Sequence, residues 1–371
     1  MENKYVKEEK IEIPEDLKEI SKEPYKYICD YIESIYPKIG RKTFQVLSLL
    51  PVSLIIPDIP FGSKNIRSNL NAIFLGASGS GKTSIAKLFS KFVINPLEFE
   101  SITSAGLEGS ITNTGGTFAL IVGDFARMSR DPILLKTLEG ILGEERRLQR
   151  TTARKDLDME VNAVSLLCGV STDLSKYILS GMIWRLVPIL VGHSPNEHSE
   201  IGEHIKNNAG IKKEDGNEEI IKKYYDELFK IQSSDKKVVG YNLKYEFRDG
   251  LYNEWRVMTE PYVKELGLNF FRELWDSYRF LVCHSFLNIF NREVKDGILT
   301  PNKDDYEIAM KLMKQSVKFK FRLIRSESFA KGIKDAKDFK KIMESDKVPE
   351  QVKDMIRGLV EIKGDKVKIR N

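Results

Sequence analysis

Residues 76–83 read Gly-Ala-Ser-Gly-Ser-Gly-Lys-Thr, an unbroken instance of the phosphate-loop pattern G-x-x-x-x-G-K-[ST]. No other stretch limits the accessible folds so tightly. The apolar run Ala72, Ile73, Phe74 and Leu75 leads in like a buried parallel strand, and Ile85, Leu88, Phe89 and Phe92 follow at helical spacing. The glycines therefore fall on a strand-to-helix turn, the context in which the pattern has a physical meaning. Gly76, Gly79 and Gly81 admit backbone conformations that a Cβ forbids, so successive N–H groups can point at a polyphosphate beside the positive end of the next helix. Ala77, Ser78, Ser80 and Ser84 complete the cradle. Lys82 supplies a point charge for the β and γ phosphates, and the Thr83 hydroxyl suits Mg²⁺. The bland alternative is a glycine-rich turn without a ligand.

The length, 371 residues, suits two to three domains, and 41% hydrophobic residues are ample for a sizeable core. The first ten residues contain no apolar segment of the signal-peptide kind. The longest uncharged stretch, 43–57, spans 15 residues with two prolines, too short and too broken to cross a bilayer, so no membrane partner and a cytoplasmic setting are expected. Cys29, Cys168 and Cys283 lack metal-site spacing and read as small buried apolar residues. His193, His198 and His204 alternate with acids, but Pro195 interrupts them, so a solvated loop is expected over a metal site. Residues 311–371 hold 18 Lys or Arg against 9 Asp or Glu, so the basic character lies in the tail; it suits either a phosphate backbone or a solubilising face.

Four segments emerge. Residues 1–68 read as a helical lead-in, and 69–205 as an α/β nucleotide core in which apolar strands alternate with helical patterns. Residues 206–325 read as a helical lid: first an exposed polar helix within 206–237, then a helical, aromatic-rich stretch with Trp255, Phe270, Phe271, Trp275, Phe280 and Phe286 as core. Residues 326–371 form a basic tail. There Val360, Ile362, Val367 and Ile369 alternate around Gly364-Asp365, a hairpin signal that suits the wing of a small winged-helix module or a helical appendage with a capping hairpin.

Hydrolysis needs a second strand that ends in acid. Residues 119–125, Ala-Leu-Ile-Val-Gly-Asp-Phe, supply one, with Asp124 closing four apolar residues in the place of a metal or water ligand; an ordinary turn residue is the alternative.

From here residues 103–185 resemble the ATPase core of the minichromosome maintenance helicases and their mobile-element relatives in the AAA+ class. Thr103-Ser104-Ala105-Gly106-Leu107 resembles that family's small-residue segment, Gly123-Asp124-Phe125-Ala126-Arg127-Met128 resembles its Asp-Glu-Phe-Asp-Lys-Met stretch, and the helical pattern over 132–150 matches a helix that follows. The likeness covers well under half of the chain. It implies ATP and Mg²⁺ as ligands and a homo-oligomeric, hexameric ring acting on single-stranded or duplex DNA. One departure stands out: Gly123 occupies the place of the family's Mg²⁺-binding Asp, and Asp124 that of its catalytic Glu.

The resemblance also implies a channel hairpin that grips DNA near Arg146, Arg147, Arg150, Arg154 and Lys155; the plain alternative is a solvated helix end. Ser171 takes the place of a polar γ-phosphate sensor, Arg185 that of an arginine inserted into the neighbouring subunit's site, and Arg279 that of a second sensor in the lid; a structural carboxylate is the alternative partner for Arg185. The expectation is an ATP-dependent DNA helicase or translocase of a replicating plasmid or virus. The second reading is a nucleotide-switched replication initiator or assembly factor with weak turnover, and a small-molecule phosphotransferase is the third.

Overall fold

The computed structural model describes residues 11–37, 41–76, 79–151, 156–170, 185–191, 195–208, 216–266, 271–332, 336–345, 353, 356, 360–363 and 366–369. Ala77, Ser78, Arg154, Lys155 and Ser171 lie outside the described residues. The chain divides into two compact units, one built from residues 1–70, 91–93 and 194–313, the other from residues 71–90, 94–193 and 314–371.

The second unit carries the sheet. Its strands are β1 (Asn71–Gly76), β2 (Pro96–Phe99), β3 (Thr117–Val122), β4 (Arg147–Thr151), β5 (Asp156–Glu160), β6 (Asn162–Val170) and β7 (Val187–Leu190). Five of them form one sheet in the order β2-β3-β6-β1-β7, every pairing parallel. The core strands are near-continuous apolar runs because a parallel sheet is covered on both faces: β1 is buried at every position. The helices are α1 (Lys82–Ser90), α2 (Ser104–Asn113), α3 (Phe125–Met128) and α4 (Pro132–Leu142). Their starts follow local chemistry. Thr103 caps α2 by accepting from the Gly106 amide, and Asp131 caps α4 by accepting from the Ile133 and Leu134 amides ahead of Pro132. Leu107, Phe118, Leu120, Leu138 and Ile141 meet in one core, joined by Phe319, Ile356 and Val360 from the tail.

α4 ends at Leu142, and the expected helix through residue 150 is instead an antiparallel hairpin of β4 and β5. Gly143 leaves the helix in an extended conformation, φ −76° and ψ 171°, at a place where a Cβ would press on the Glu139 carbonyl at 2.7 Å. The chain then turns at Arg146, which takes φ 51°, and its carbonyl accepts from the Val161 amide at 2.7 Å to close the hairpin base. The solvated-helix-end alternative for these arginines is thereby replaced. In the tail, Val360–Lys363 pairs antiparallel with Lys366–Ile369 in the register the alternation predicts.

The first unit is mainly helical and unites the N-terminal lead-in with the segment from 194. Helix Gly216–Gln232, expected as an exposed helix, exposes one face, with Lys222, Lys223, Asp226 and Lys230, and buries the other: Tyr224 and Tyr225 are fully buried, and their hydroxyls donate to the Leu287 and Ser48 carbonyls. Polar residues hide that face in the sequence, because the two tyrosines carry apolar bodies with one polar tip that must find an acceptor. The aromatic-rich stretch also contains strands: Glu293–Lys295 pairs antiparallel with Ile298–Thr300, and the latter pairs parallel with Gly240–Tyr241. Asp296 and Gly297 both have positive φ, as the two-residue hairpin turn requires. Trp255, Phe280 and Phe286 are core as expected, whereas Phe271 is exposed; Phe270 lies outside the described residues.

Pro195 begins helix Pro195–Asn208 rather than interrupting the chain, which corrects the loop expected around the histidines. Among the described residues no group of acids, histidines and cysteines is arranged to hold a metal by itself. The three cysteines are free and buried. No helix among the described residues is long and apolar enough to cross a membrane.

Candidate phosphate-binding edge

Because all five sheet strands run parallel, their carboxyl ends share one edge, where open α/β sheets receive ligands. That edge gathers Gly76, Glu100, Gly123 and Asp124. Gly76 is demanded by space: a Cβ there would run into the Val191 carbonyl, whose own amide donates to the Leu75 carbonyl at 2.8 Å. Gly79 and Gly81 are demanded by conformation, with φ of 78° and 84°. The loop therefore turns through left-handed geometry straight into α1, whose first residue is Lys82.

Lys82 is buried, and its ammonium donates to the Gly76 carbonyl at 3.0 Å and to Ser80 Oγ at 3.1 Å. Burial pulls its pKa below the usual lysine value, against a smaller opposing influence of Cys168. Cys168, on β6 beside β1, is pushed up to about 12 by burial, with Lys82 lowering it and Glu100 raising it. The thiol is thus neutral and senses both charges. Thr83 is half-buried on the first turn of α1, and Ser84 is exposed.

Between α1 and the strand ends lies a cavity of about 220 Å³ lined by Thr83, Ala86, Lys87, Glu98, Glu100, Ile121 and Gly123. The β2–β3 ladder continues past its regular end: the Gly123 amide donates to the Phe99 carbonyl at 2.7 Å, and the Asp124 amide to the Glu100 carbonyl at 3.2 Å. Glu100 and Gly123 are consequently neighbours across the two strands. A Cβ on Gly123 would collide with the Glu100 carboxylate. Gly123 has no positive φ, so its backbone does not require glycine, and a side chain there would displace only the flexible end of Glu100. Glu100 also faces Lys87 at 3.5 Å, an exposed pair.

Asp124 is exposed and caps α3, its Oδ1 accepting from the Arg127 amide at 3.1 Å. It stands two strands from the phosphate loop, with β6 between them. The oxygen donors along this edge, Thr83, Glu100 and Asp124, are hard ligands of the kind Mg²⁺ takes. Glu100 did not emerge from the sequence. Its signal was an acid closing a short alternating strand, which gains meaning only once β2 is known to pair with β3.

The remaining candidates scatter more widely. Arg185 lies just before β7, with its Nη1 3.4 Å from Glu139 of α4 and its Nε buried without a hydrogen-bond partner among the described residues. Arg146 sits at the hairpin base, and exposed Arg147 on β4 has Asp158 of β5 at 3.8 Å. Arg150 belongs to β4 near the tip, opposite Leu157. Arg154 and Lys155 follow β4 in the sequence but lie outside the described residues, and the return strand β5 carries Asp156, Asp158 and Glu160. Arg279 belongs to the first unit and is buried there, donating to the Arg67 carbonyl at 2.6 Å and to Asp276 at 2.7 Å. Its guanidinium is used structurally inside that unit, a use the resemblance does not anticipate.

Comparison with protein-family models and with curated proteins gives no match to this sequence.

Proposed function

We propose that the chain is a P-loop ATPase that acts on DNA as a ring-forming helicase or translocase in the replication of a mobile element. The observation that carries this reading is the phosphate-loop turn at the carboxyl edge of an all-parallel sheet, with an acid closing the strand two places away. In the proposed mechanism the amides of residues 76–81 and the start of α1 hold the phosphates, and Lys82 exchanges its contacts with Gly76 and Ser80 for the β and γ oxygens. Mg²⁺, when bound with the nucleotide, spreads the charge of the transferred phosphoryl group, and Thr83 is a residue that would hold it. Asp124 orients the attacking water from its place at the end of β3. Arg185 is one-third exposed and its tie to Glu139 is long, which leaves it suited to a phosphate on a neighbouring subunit. The hairpin of β4 and β5, inserted between the acid strand and β6, supplies a basic strand for a DNA backbone through Arg147 and Arg150, with Arg146 at its base.

One observation favours the second reading, a nucleotide-switched initiator with slow turnover: Gly123 leaves the end of β3 with a single carboxylate. ATPase rates with and without single-stranded DNA, against Lys82→Ala as a blank, separate the two. Stimulation by DNA with strand separation is the expected result. Nucleotide binding without stimulated turnover favours the switch, a chain that stays monomeric with ATP removes the ring, and absence of nucleotide binding overturns both.

A further inference from the structure

We propose that Glu100, reaching across from β2, is the carboxylate that faces the nucleotide-bound divalent cation, in the room that Gly123 leaves open. This deepens the ATPase reading and rests on it. Three features of the edge converge on Glu100. The ladder runs on past β2 and β3, so residues 100 and 123 are direct cross-strand neighbours on one face of the sheet. The Glu100 carboxylate lies where a side chain on residue 123 would begin, so a side chain at 123 and the present position of Glu100 are mutually exclusive. The same carboxylate and Thr83 line one cavity of about 220 Å³ between α1 and the strand ends.

Alternative uses of Glu100 are weaker. Its pair with Lys87 is exposed on both sides, a type of contact that contributes little to stability. It caps no helix, since α2 is capped by Thr103. Asp124 is a poorer candidate for the cation, because one of its oxygens accepts from the Arg127 amide. The division of labour that follows gives the cation to Glu100 with Thr83 and the water to Asp124.

The test measures affinity for a fluorescent ATP analogue with Mg²⁺ and with EDTA, so it does not depend on turnover, and Mn²⁺ resonance spectra report the metal directly. Wild-type protein is expected to bind more tightly with Mg²⁺, and Glu100→Gln to lose about tenfold or more of that gain while its affinity in EDTA stays unchanged. The swap Glu100→Gly with Gly123→Asp returns a carboxylate to the same room from the other strand and is expected to recover the gain. Glu100 is exposed, so Glu100→Gln is expected to fold as the wild type does, and the swap provides an independent second arm. Retention of the full Mg²⁺ gain and the Mn²⁺ signal by Glu100→Gln overturns the proposal and leaves the ATPase reading intact. Wild-type binding that is indifferent to Mg²⁺ has the same consequence. If wild-type protein binds no nucleotide in either buffer, the ATPase reading fails and this proposal falls with it.

Discussion

Two glycines of the phosphate loop do different physical work, and single substitutions separate them. At Gly76 an added methyl collides with the Val191 carbonyl, and Val191 is held at the sheet by the hydrogen bond its N–H donates to the Leu75 carbonyl. The β1–β7 edge must open, a cost of about 1–3 kcal/mol or more for overpacking a fixed site. At Gly79 nothing lies within 4 Å of an added Cβ, but φ is 78°. There the cost is conformational, roughly 1–2 kcal/mol, and the loop can relieve it by rotating its amides away from the phosphates. Gly76→Ala is therefore expected to lower the urea midpoint clearly. Gly79→Ala should lower it less while reducing ATP affinity by about tenfold, since each lost charge-assisted amide contact is worth about 1.5–3 kcal/mol. Equal loss of stability in the two variants would contradict this assignment.

At the scale of elements, the start of helix Lys303–Gly332 ties three segments of the first unit together through one carboxylate. Asn302 Oδ1 accepts from the Asp304 and Asp305 amides while Asp305 Oδ2 accepts from the Asn302 amide, a reciprocal cap. Asp305, fully buried, also meets His284 and Arg292. Burial by itself raises its pKa, but the hydrogen bonds and charges of His284 and Arg292 outweigh it, and the net shift is downward. A carboxylate lowered on folding stabilises fully above its unfolded value, about 3.9, and that contribution is lost as pH falls through the lower folded value. Asp305→Asn is expected to cost about 3–5 kcal/mol at neutral pH, because it leaves the buried Arg292 cation unanswered. Urea titrations should find the gap between variant and wild type narrowing below about pH 4; a gap independent of pH would exclude the charge as its source. Other elements were legible without this kind of contact. The apolar run 72–75, the acid-closed run 119–124 and the strand from 162 are marked by local pattern and appear as β1, β3 and β6. What stayed hidden was non-local. Tyr224 and Tyr225 look like a polar helix until Leu287 and Ser48 supply acceptors. Glu100 acquires its neighbour only through the pairing of two strands separated by a helix.

At the scale of the molecule, the path of the chain overrides its linear segmentation. The four-part reading ends the nucleotide core at 205 and treats 326–371 as an appendage, whereas each compact unit is assembled from separated stretches of the sequence, and the tail belongs with the sheet. Its basic residues dominate the composition, but its sparse apolar ones decide its place: Ile356 and Val360 are 0% and 4% exposed in the same core as Phe118 and Leu138, and Phe339, Ile342 and Met343 pack against it. Removing residues 326–371 therefore uncovers the interior of the sheet-bearing unit and does not merely trim a charged extension. Deleting one such buried side chain costs about 2–5 kcal/mol, and a domain's whole stability is about 5–15 kcal/mol. The truncated chain is expected to lose cooperative unfolding and ATP affinity together, even though every residue of the phosphate loop remains. Ile356→Ala in the full chain is the milder form of the experiment: it should lower stability by about 2–5 kcal/mol yet leave nucleotide affinity near wild type under native conditions. A truncated protein that unfolds cooperatively and binds ATP normally would show that the tail is separable after all, and its lysines would then be free to serve a nucleic-acid backbone without any debt to the core.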